Sequence, residues 1–451
     1  MVITMSTVIG IPQNIRSVLL RLNACGFEAY VVGGCVRDAL LGCEPSDWDV
    51  CTAATPERVA EIFADFHVIP TGLKHGTVTV VIDGMTVEIT TFRIDGDYAD
   101  GRRPTAVEFA RSITEDLRRR DFTINAIAAD INECLIDPFG GREDIKRGII
   151  RCVGEADKRF GEDYLRILRA LRFAAVLGFD IDADTSRSIN AHKTSVAGIS
   201  AERICSELCK LVVGEKAAEI LREYRAVFAE VIPELAAMFD LEQRNPWHIF
   251  DVWEHTVASV ACAPQDVIIR MTMLLHDIGK PLCFTRGEDG IGHFCGHNAI
   301  SARLADDILK RLRFDNETRN LIVQLVKYHD YPAAVKRRVV RRILNLVGVE
   351  QAHRLLTVKR ADALAQNPQM TAERLREIAE LEVLLCTVID ERQCFTARDL
   401  AVNGRDLMEL GVPPGPRLGV VLKKLLDAVI DGKLENEADV LKHAAREMLE
   451  Q

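Results

Sequence analysis

Asp47 and Asp49 stand one residue apart in the stretch Tyr30 to Cys51, YVVGGCVRDALLGCEPSDWDVC. The stretch reads as a short apolar strand, a Gly-Gly turn, a helix start, a polar loop and a second strand carrying both aspartates. Side chains two apart on a strand face the same side. Two carboxylates are therefore aimed at one spot, beside a glycine turn and a helix N-terminus. Carboxylates hold hard divalent cations, and the N–H groups of a helix start receive phosphate. The chemistry expected here is that of a metal-bound triphosphate.

Other elements must position this pair. Residues 12–25 read as an amphipathic helix ending near Gly26, and residues 28–92 as a mixed α/β unit. TVTVVI (77–82) and MTVEITTF (85–92) alternate in polarity and are joined by Asp83-Gly84, a hairpin signal. The second strand carries Glu88, a candidate third carboxylate. RIDGDYADGRRP (93–104) reads as a mobile loop. RRRDFTINAIAAD (118–130) reads as a helix whose Arg119 and Arg120 could reach phosphate. Asp157 to Phe179 reads as one long helix, on which Asp163, Arg166, Arg169 and Arg172 recur every third residue along one side. Beyond about residue 185 the pattern is almost entirely helical.

A second cluster lies in that helical part. Five of the eleven histidines fall between 248 and 297: His248, His255, His276, His293 and His297. His248 and His255 are seven apart and share a face if helical. His276-Asp277 follows an apolar run, and His329-Asp330 ends another. Histidines beside aspartates on successive helices suit a metal site inside a bundle. The tail beyond about 395 reads as a small helical module with a stiff GVPPGPRLG turn and a helix ending near Gly432.

Composition sets the limits. A chain of 451 residues, 48% hydrophobic and 27% charged, fits two to four globular domains. No apolar run reaches membrane-spanning length, the N-terminus does not resemble a signal peptide, and a cytoplasmic location is expected. The 13 cysteines are scattered without a CxxC pair; Cys205, Cys262 and Cys386 among them are expected to be buried reduced thiols. A net charge of -10 excludes a protein that coats nucleic acid indiscriminately, but a local basic groove for RNA remains open. The densest basic run, KRRVVRR from Lys336 to Arg342, reads as a solvated helix face.

In order and spacing, GGCVRDALLG, DWD, VEITTFR, RRDFTINAIA and EDYLRILRALRF resemble the motif series of bacterial class II CCA-adding tRNA nucleotidyltransferases and their poly(A) polymerase relatives. WHIFDVWEHT, LLHDIGK, GHNAISA and KYHD resemble an HD phosphohydrolase domain, and AVNGRDLMELGVPPGPRLG resembles the transferases' C-terminal module. The resemblance covers nearly the whole chain. It implies an α+β fold: a nucleotidyltransferase-type mixed α/β head (1–145), an all-helical neck that binds RNA and reads the base (146–235), an HD-like body (236–370) and a tRNA-binding helical tail (371–451). Asp47 and Asp49 would ligate two Mg²⁺ ions, with Glu88 the third carboxylate. Gly34, Arg37 and Arg120 would contact the triphosphate, and Asp121 and Asn125 would support sugar and phosphate. Asp163 and Arg166 would read the base, with Arg169 and Arg172 close to the nucleotide or the tRNA end. His255, His276, Asp277 and a distant aspartate, Asp362 or its rival Asp330, would hold a second divalent metal; His297 and His329 could complete a further position.

The reaction implied is attack of a tRNA 3′-hydroxyl on the α-phosphate of CTP or ATP, releasing pyrophosphate. Cytosine and adenine each offer an amino donor beside a ring-nitrogen acceptor, which a carboxylate and a guanidinium complement. Uracil and guanine present the reverse pattern and would face an acceptor with an acceptor. The loop at 93–104 is a candidate for the switch from C to A, and it looks full length, which favours full CCA or A addition. The alternatives are an A-adding-only enzyme, a poly(A) polymerase, and a non-catalytic RNA-binding module. The sequence is silent on oligomeric state.

Overall fold

The computed structural model describes residues 8–72, 76–95, 107–110 and 112–450. The chain divides into two compact units, Met1–Pro233 and Glu234–Gln451.

The first unit is built on a sheet of seven strands. Five are labelled here: β1 (Ala29–Val32), β2 (Asp49–Thr52), β3 (His67–Gly72), β4 (Thr77–Ile82) and β5 (Met85–Thr91). The order is β3-β4-β5-β2-β1, followed by two-residue strands at Ala128–Ala129 and Leu135–Ile136. Only β2 and β5 run parallel, and their register places Asp49 directly beside Glu88. The β4–β5 hairpin forms as its sequence requires. Asp83 and Gly84 have φ of 49° and 79°, the left-handed pair of a type I′ turn. Along β4 the side chains alternate between half-buried threonine or valine and buried valine or isoleucine. That alternation turns Val78, Val80, Val87 and Ile89 into the core and leaves Glu88 on the open face.

Three expectations for this unit need correction. Strand β2 starts at Asp49, so Asp47 lies in the extended segment before it. Residues 118–130 are not a helix. A helix at Ile113–Arg118 stops, a 3-10 turn spans Thr123–Asn125, and Ala128–Ala129 joins the sheet beside β1. The cause is local: the Asp121 carboxylate accepts the Phe122 N–H (2.9 Å) and the Asn125 amide (3.3 Å), offering the backbone an alternative to helix. The apolar residues after it are buried all round, as a central strand demands.

The helix expected over 157–179 is two helices, Ala156–Glu162 and Leu165–Leu177. Asp163 between them is extended (φ −146°, ψ 106°), which breaks the helix, and its Oδ1 accepts the Leu165 N–H at 3.1 Å two residues on. Gly178 ends that helix at φ 69°. Of the expected loop at 93–104, Arg93–Asp95 is a short strand paired with Val107–Phe109, and the rest lies outside the described residues.

The second unit is helical apart from a two-residue hairpin at Thr285–Arg286 and Gly292–His293. Helices Val252–Cys262, Val267–Leu275, His297–Arg311, Asn316–Tyr328 and Val349–Leu364 surround the histidine cluster. The tail helices Gly404–Glu409, Pro416–Ile430 and Ala438–Glu450 enclose their own core around Leu407, Leu425, Val429 and Leu441. The basic run is not simply solvated: Arg337 pairs with Glu391, and Arg342 with Asp427 and Asp431 of the tail. His248 precedes its helix rather than lying on it.

All thirteen cysteines are free, but only Cys35, Cys51, Cys152 and Cys394 are buried. Cys205 is half-buried and Cys262 and Cys386 are exposed, because apolar helical context does not say which face a thiol takes. Among the described residues, no helix is long and apolar enough to cross a membrane.

Gly141 tests this packing. A Cβ there would lie 2.1 Å from the Thr123 carbonyl oxygen, a rigid backbone atom at the 3-10 turn. Gly141→Ala should cost about 1–3 kcal/mol or more, read as a lowered midpoint of thermal unfolding. An unchanged midpoint would refute this close approach.

Candidate active site

The first unit gathers most of its candidate residues around Gly33. This glycine has φ 84°, and a Cβ there would lie 2.8 Å from the Arg120 guanidinium. Only glycine allows both the turn and the approach of that cation. Gly34 opens the helix Gly34–Leu40, which carries the buried Arg37. Arg37 donates to Asn125 Oδ1 (2.7 Å) and to Asp38 Oδ1 (2.8 Å).

Asp49 sits half-buried between exposed Asp47 and Glu88. Burial and then the Asp47 charge push its carboxyl up to about 6, Glu88 adding to the rise and Arg120 opposing it. Among the described residues, sets of three ligand atoms all within 4.8 Å occur only in the second unit. The head carboxylates are thus an open rim rather than a closed cage. A rim of oxygen donors fits Mg²⁺, which keeps several waters and takes one or two carboxylates plus substrate phosphate.

Beside the rim is a cavity of about 330 Å³ whose wall includes Arg120, Asp121, Asp163, Arg166 and Arg169. Arg119, Arg120, Arg166, Arg169 and Arg203 there are each paired with an acid. Asp116, fully buried, pairs with Arg119 (2.8 Å) and Arg120 (3.3 Å). Asp121 pairs with Arg169 at 2.6 Å; burial alone would raise its carboxyl, but Arg169 and Arg166 bring it down to about 2. Asp163 and Arg166 do not pair with each other. Asp163 binds Arg203 (2.7 Å), and Arg166 binds Glu162 (2.6 Å). Arg172 lies outside the cavity wall and pairs with buried Glu207 at 2.6 Å. Asp116, Glu162, Arg203 and Glu207 thus belong to this charged network, and sequence reasoning did not single them out. The i, i+3 and i, i+4 spacings of Asp116 and Glu162 to their arginines were a usable signal; Arg203 and Glu207, some 40 residues away, had none.

The second unit brings His255, His276, Asp277 and Asp362 together, with His297 and His329 on the other side of Asp277. Asp277 Oδ2 lies 3.5 Å from His255 Nε2 and 3.2 Å from His276 Nε2. Its Oδ1 lies 3.4 Å from His297 Nε2 and 3.9 Å from His329 Nε2. Asp362 Oδ1 is 3.1 Å from His255 Nε2, whereas Asp330 is exposed. His293 is also exposed, on the hairpin. Each of the four histidines has Nδ1 against a backbone carbonyl: Ala365 (3.3 Å), Met273 (2.7 Å), Phe294 (2.9 Å) and Val326 (2.7 Å). Carbonyls only accept, so Nδ1 carries the proton and the Nε2 lone pairs point inward.

The Nε2 atoms then meet in pairs, His255 with His276 at 3.4 Å and His297 with His329 at 3.1 Å. Lone pair facing lone pair is unfavourable without a proton or cation between, so the set fits a divalent metal. Burial lowers His329 to about 3, favouring the neutral ligand form. Burial also opposes the charge on Asp277, yet His276 and Lys280 hold it well below the usual carboxylate range. The space in front of these residues measures about 730 Å³.

The Asp49 shift makes a testable statement. Its folded value lies above its ordinary one, so the stability due to protonation is full below about 3.8 and is lost as pH rises through about 6. A divalent cation on the rim must displace that proton. Its affinity, by calorimetric titration with Mg²⁺, should weaken about tenfold per pH unit below about 6. Equal affinity at pH 5 and pH 7 would refute this.

The poly A polymerase head domain family matches residues 29–151, the probable RNA- and SrmB-binding site of polymerase A matches 178–239, and the putative tRNA nucleotidyltransferase domain 2 matches 284–445. The CCA-adding enzyme of Geobacillus thermodenitrificans is 52% identical over 437 residues, 95% of each chain. That of Geobacillus stearothermophilus is 37% identical, again over 95% of each. The crystal structure of the Bacillus stearothermophilus CCA-adding enzyme in complex with CTP superposes with a TM-score of 0.70 at 32% identity, covering 97% of both chains. Identity at this level along nearly the whole length means that the chain belongs to the family of CCA-adding enzymes.

Proposed function

We propose that this protein adds the CCA end to the 3′ terminus of tRNA by template-independent nucleotidyl transfer from CTP and ATP. The observation that carries the reading is the register of β2 against β5, which sets Asp49 beside Glu88 at the open face of the sheet, next to the Gly33 turn. Asp47, Asp49 and Glu88 would hold the divalent cations, Mg²⁺ by their all-oxygen character. Bound there, Mg²⁺ supplies charge to lower the pKa of the attacking hydroxyl and to neutralise the leaving oxygen.

The chain's own residues do the rest. The N–H groups at Gly34 and the guanidiniums of Arg37 and Arg120 receive the triphosphate, with Asp121 and Asn125 fixing the sugar and phosphate region. The Asp163 carboxylate accepts from the amino group of cytosine or adenine, and Arg166 donates to the ring nitrogen. Arg169 and Arg172 stiffen that wall. Positioning and fixed charge account for most of the rate in such a site. On this reading residues 1–145 are the catalytic head, 146–235 the neck that reads the base, 236–370 an HD-like body and 371–451 a tRNA-binding tail.

The body supports a second reading beside the first. His255, His276, Asp277 and Asp362, with His297 and His329, would hold one or two divalent metals for hydrolysis of phosphomonoesters or cyclic phosphates, such as those on tRNA ends. The opposed Nε2 pairs favour it.

Incubating the protein with tRNA lacking CCA, CTP and ATP, and sequencing the product ends, tests the main reading: growth should stop after three nucleotides. A homopolymer ladder on unstructured RNA would instead identify a poly(A) polymerase, and addition of A alone an A-adding enzyme. Asp49→Ala should lower incorporation by more than about a thousandfold with the fold kept; normal turnover would sink the assignment. His276→Ala should remove tightly bound metal from the body, counted by elemental analysis, and leave CCA addition intact. Unchanged metal content would exclude this ligand.

A further inference from the structure

We propose that Arg203, on the helix Ala201–Val212, is a specificity-determining positioning residue that fixes the plane of the Asp163 carboxylate for base reading. The inference rests on Asp163 being the acceptor for the base's amino group, and it adds a part that this reading alone does not supply.

The two oxygens of Asp163 are each tied once. Oδ1 accepts the Leu165 N–H at 3.1 Å, and Oδ2 accepts Arg203 Nη2 at 2.7 Å. A carboxylate has about four lone-pair sites. Two protein donors therefore stop its rotation and leave about two sites to accept from a ligand. Discrimination by hydrogen-bond pattern requires that fixity. A carboxylate free to turn could move aside, or let a water carry a donor to the carbonyl of uracil or guanine, and the mismatch would no longer be penalised. Arg203 lines the same cavity as Asp163, Arg166 and Arg169. If Arg203 is lost, Arg169 is another cation on that wall towards which Asp163 can turn, and Arg169 already belongs to Asp121.

The same helix works on the opposite charge one turn later. Glu207 forms an ion pair with Arg172 at 2.6 Å and lies 4.0 Å from Arg169. Arg203 and Glu207 are i and i+4, so they share one face. This helix packs along the reading helix Leu165–Leu177, giving a cation to the aspartate just before it and an anion to its arginines. Its register against that helix therefore sets both halves of the reader.

The test uses the full chain, a tRNA ready for its first C, and CTP, UTP, ATP and GTP supplied singly, with kcat and KM for each. Arg203→Ala should cut discrimination between CTP and UTP about tenfold or more, through a raised KM for CTP together with a relatively faster misincorporation. Arg203→Lys keeps the charge but not the planar fork, and should restore part of the discrimination. Should the alanine variant fail to fold, the lysine variant carries the test through a discrimination lowered about threefold or more. An equal loss for all four nucleotides, or an unchanged ratio, overturns the proposal and leaves Arg203 a merely structural residue. Asp163→Asn separates the two layers. If it leaves discrimination unchanged, base reading by Asp163 is wrong and this proposal falls with it. If it abolishes discrimination while the Arg203 variants do not, only the role of Arg203 is lost.

Discussion

The head depends on bringing several arginines around one aromatic ring without mutual repulsion driving them apart. The guanidinium carbons of Arg37, Arg169 and Arg172 lie 5.1, 5.4 and 3.8 Å from the centre of the single Phe173 ring. Two like charges about 6 Å apart at an effective dielectric near 20 repel by about 3 kcal/mol. Three such pairs would approach the whole stability of a domain. Acids offset this: Asp38 sits against Arg37, Asp121 against Arg169 and Glu207 against Arg172. The ring separates the cations and offers its electron-rich face. The sheet, the 3-10 turn and the paired helices can be understood as the frame that delivers these acids.

The histidine cluster poses the same problem with other groups. There four inward-facing Nε2 atoms and two buried carboxylates leave an excess of acceptors. Lys280, 2.6 Å from Asp277, and Arg374, 3.1 Å from Asp362, supply part of the missing positive charge. Backbone carbonyls fix every ring, so the acceptors cannot turn away to relieve one another. On the proposed reading, the fixed cations of the head would meet an anionic substrate and the fixed lone pairs of the body a cation. In both, the fold enforces a charge imbalance that a ligand completes.

How far the sequence disclosed this differs from residue to residue. The β4–β5 hairpin was legible because Asp83-Gly84 dictates a turn locally, and the hairpin brings Glu88 into register with Asp49. The break at Asp163 was not, because Leu165 to Leu177 continues the helical period of 157–162, and only the extended Asp163, its carboxylate on the Leu165 N–H, interrupts it. The RRRDF segment misleads for the opposite reason: a run buried on all sides has no period to betray a strand. The choice between Asp330 and Asp362 depends on which helix crosses the histidines, a long-range fact. Both aspartates close polar or apolar helical stretches of equal appearance, yet one is exposed and the other reaches His255.

The quality of the ion pairs then sorts the arginines by what they can do. The half-buried Glu162 beside Arg166 also has Arg159 at 2.6 Å, whereas Arg169 and Arg172 have the buried Asp121 and Glu207 at 2.6 Å, so moving these two would strand a buried carboxylate, at a cost of several kcal/mol. Such residues suit a rigid template against which a base is compared. Arg120 is held at 3.3 Å by an Asp116 that Arg119 already satisfies at 2.8 Å. Shifting Arg120 towards a phosphate therefore leaves Asp116 paired and costs little. It also lies against Gly33, where the absence of a side chain gives it room. On the proposed reading, Arg169 and Arg172 would form the fixed part of the nucleotide site and Arg120 the cation free to meet the triphosphate, a division that follows from which acid each arginine shares.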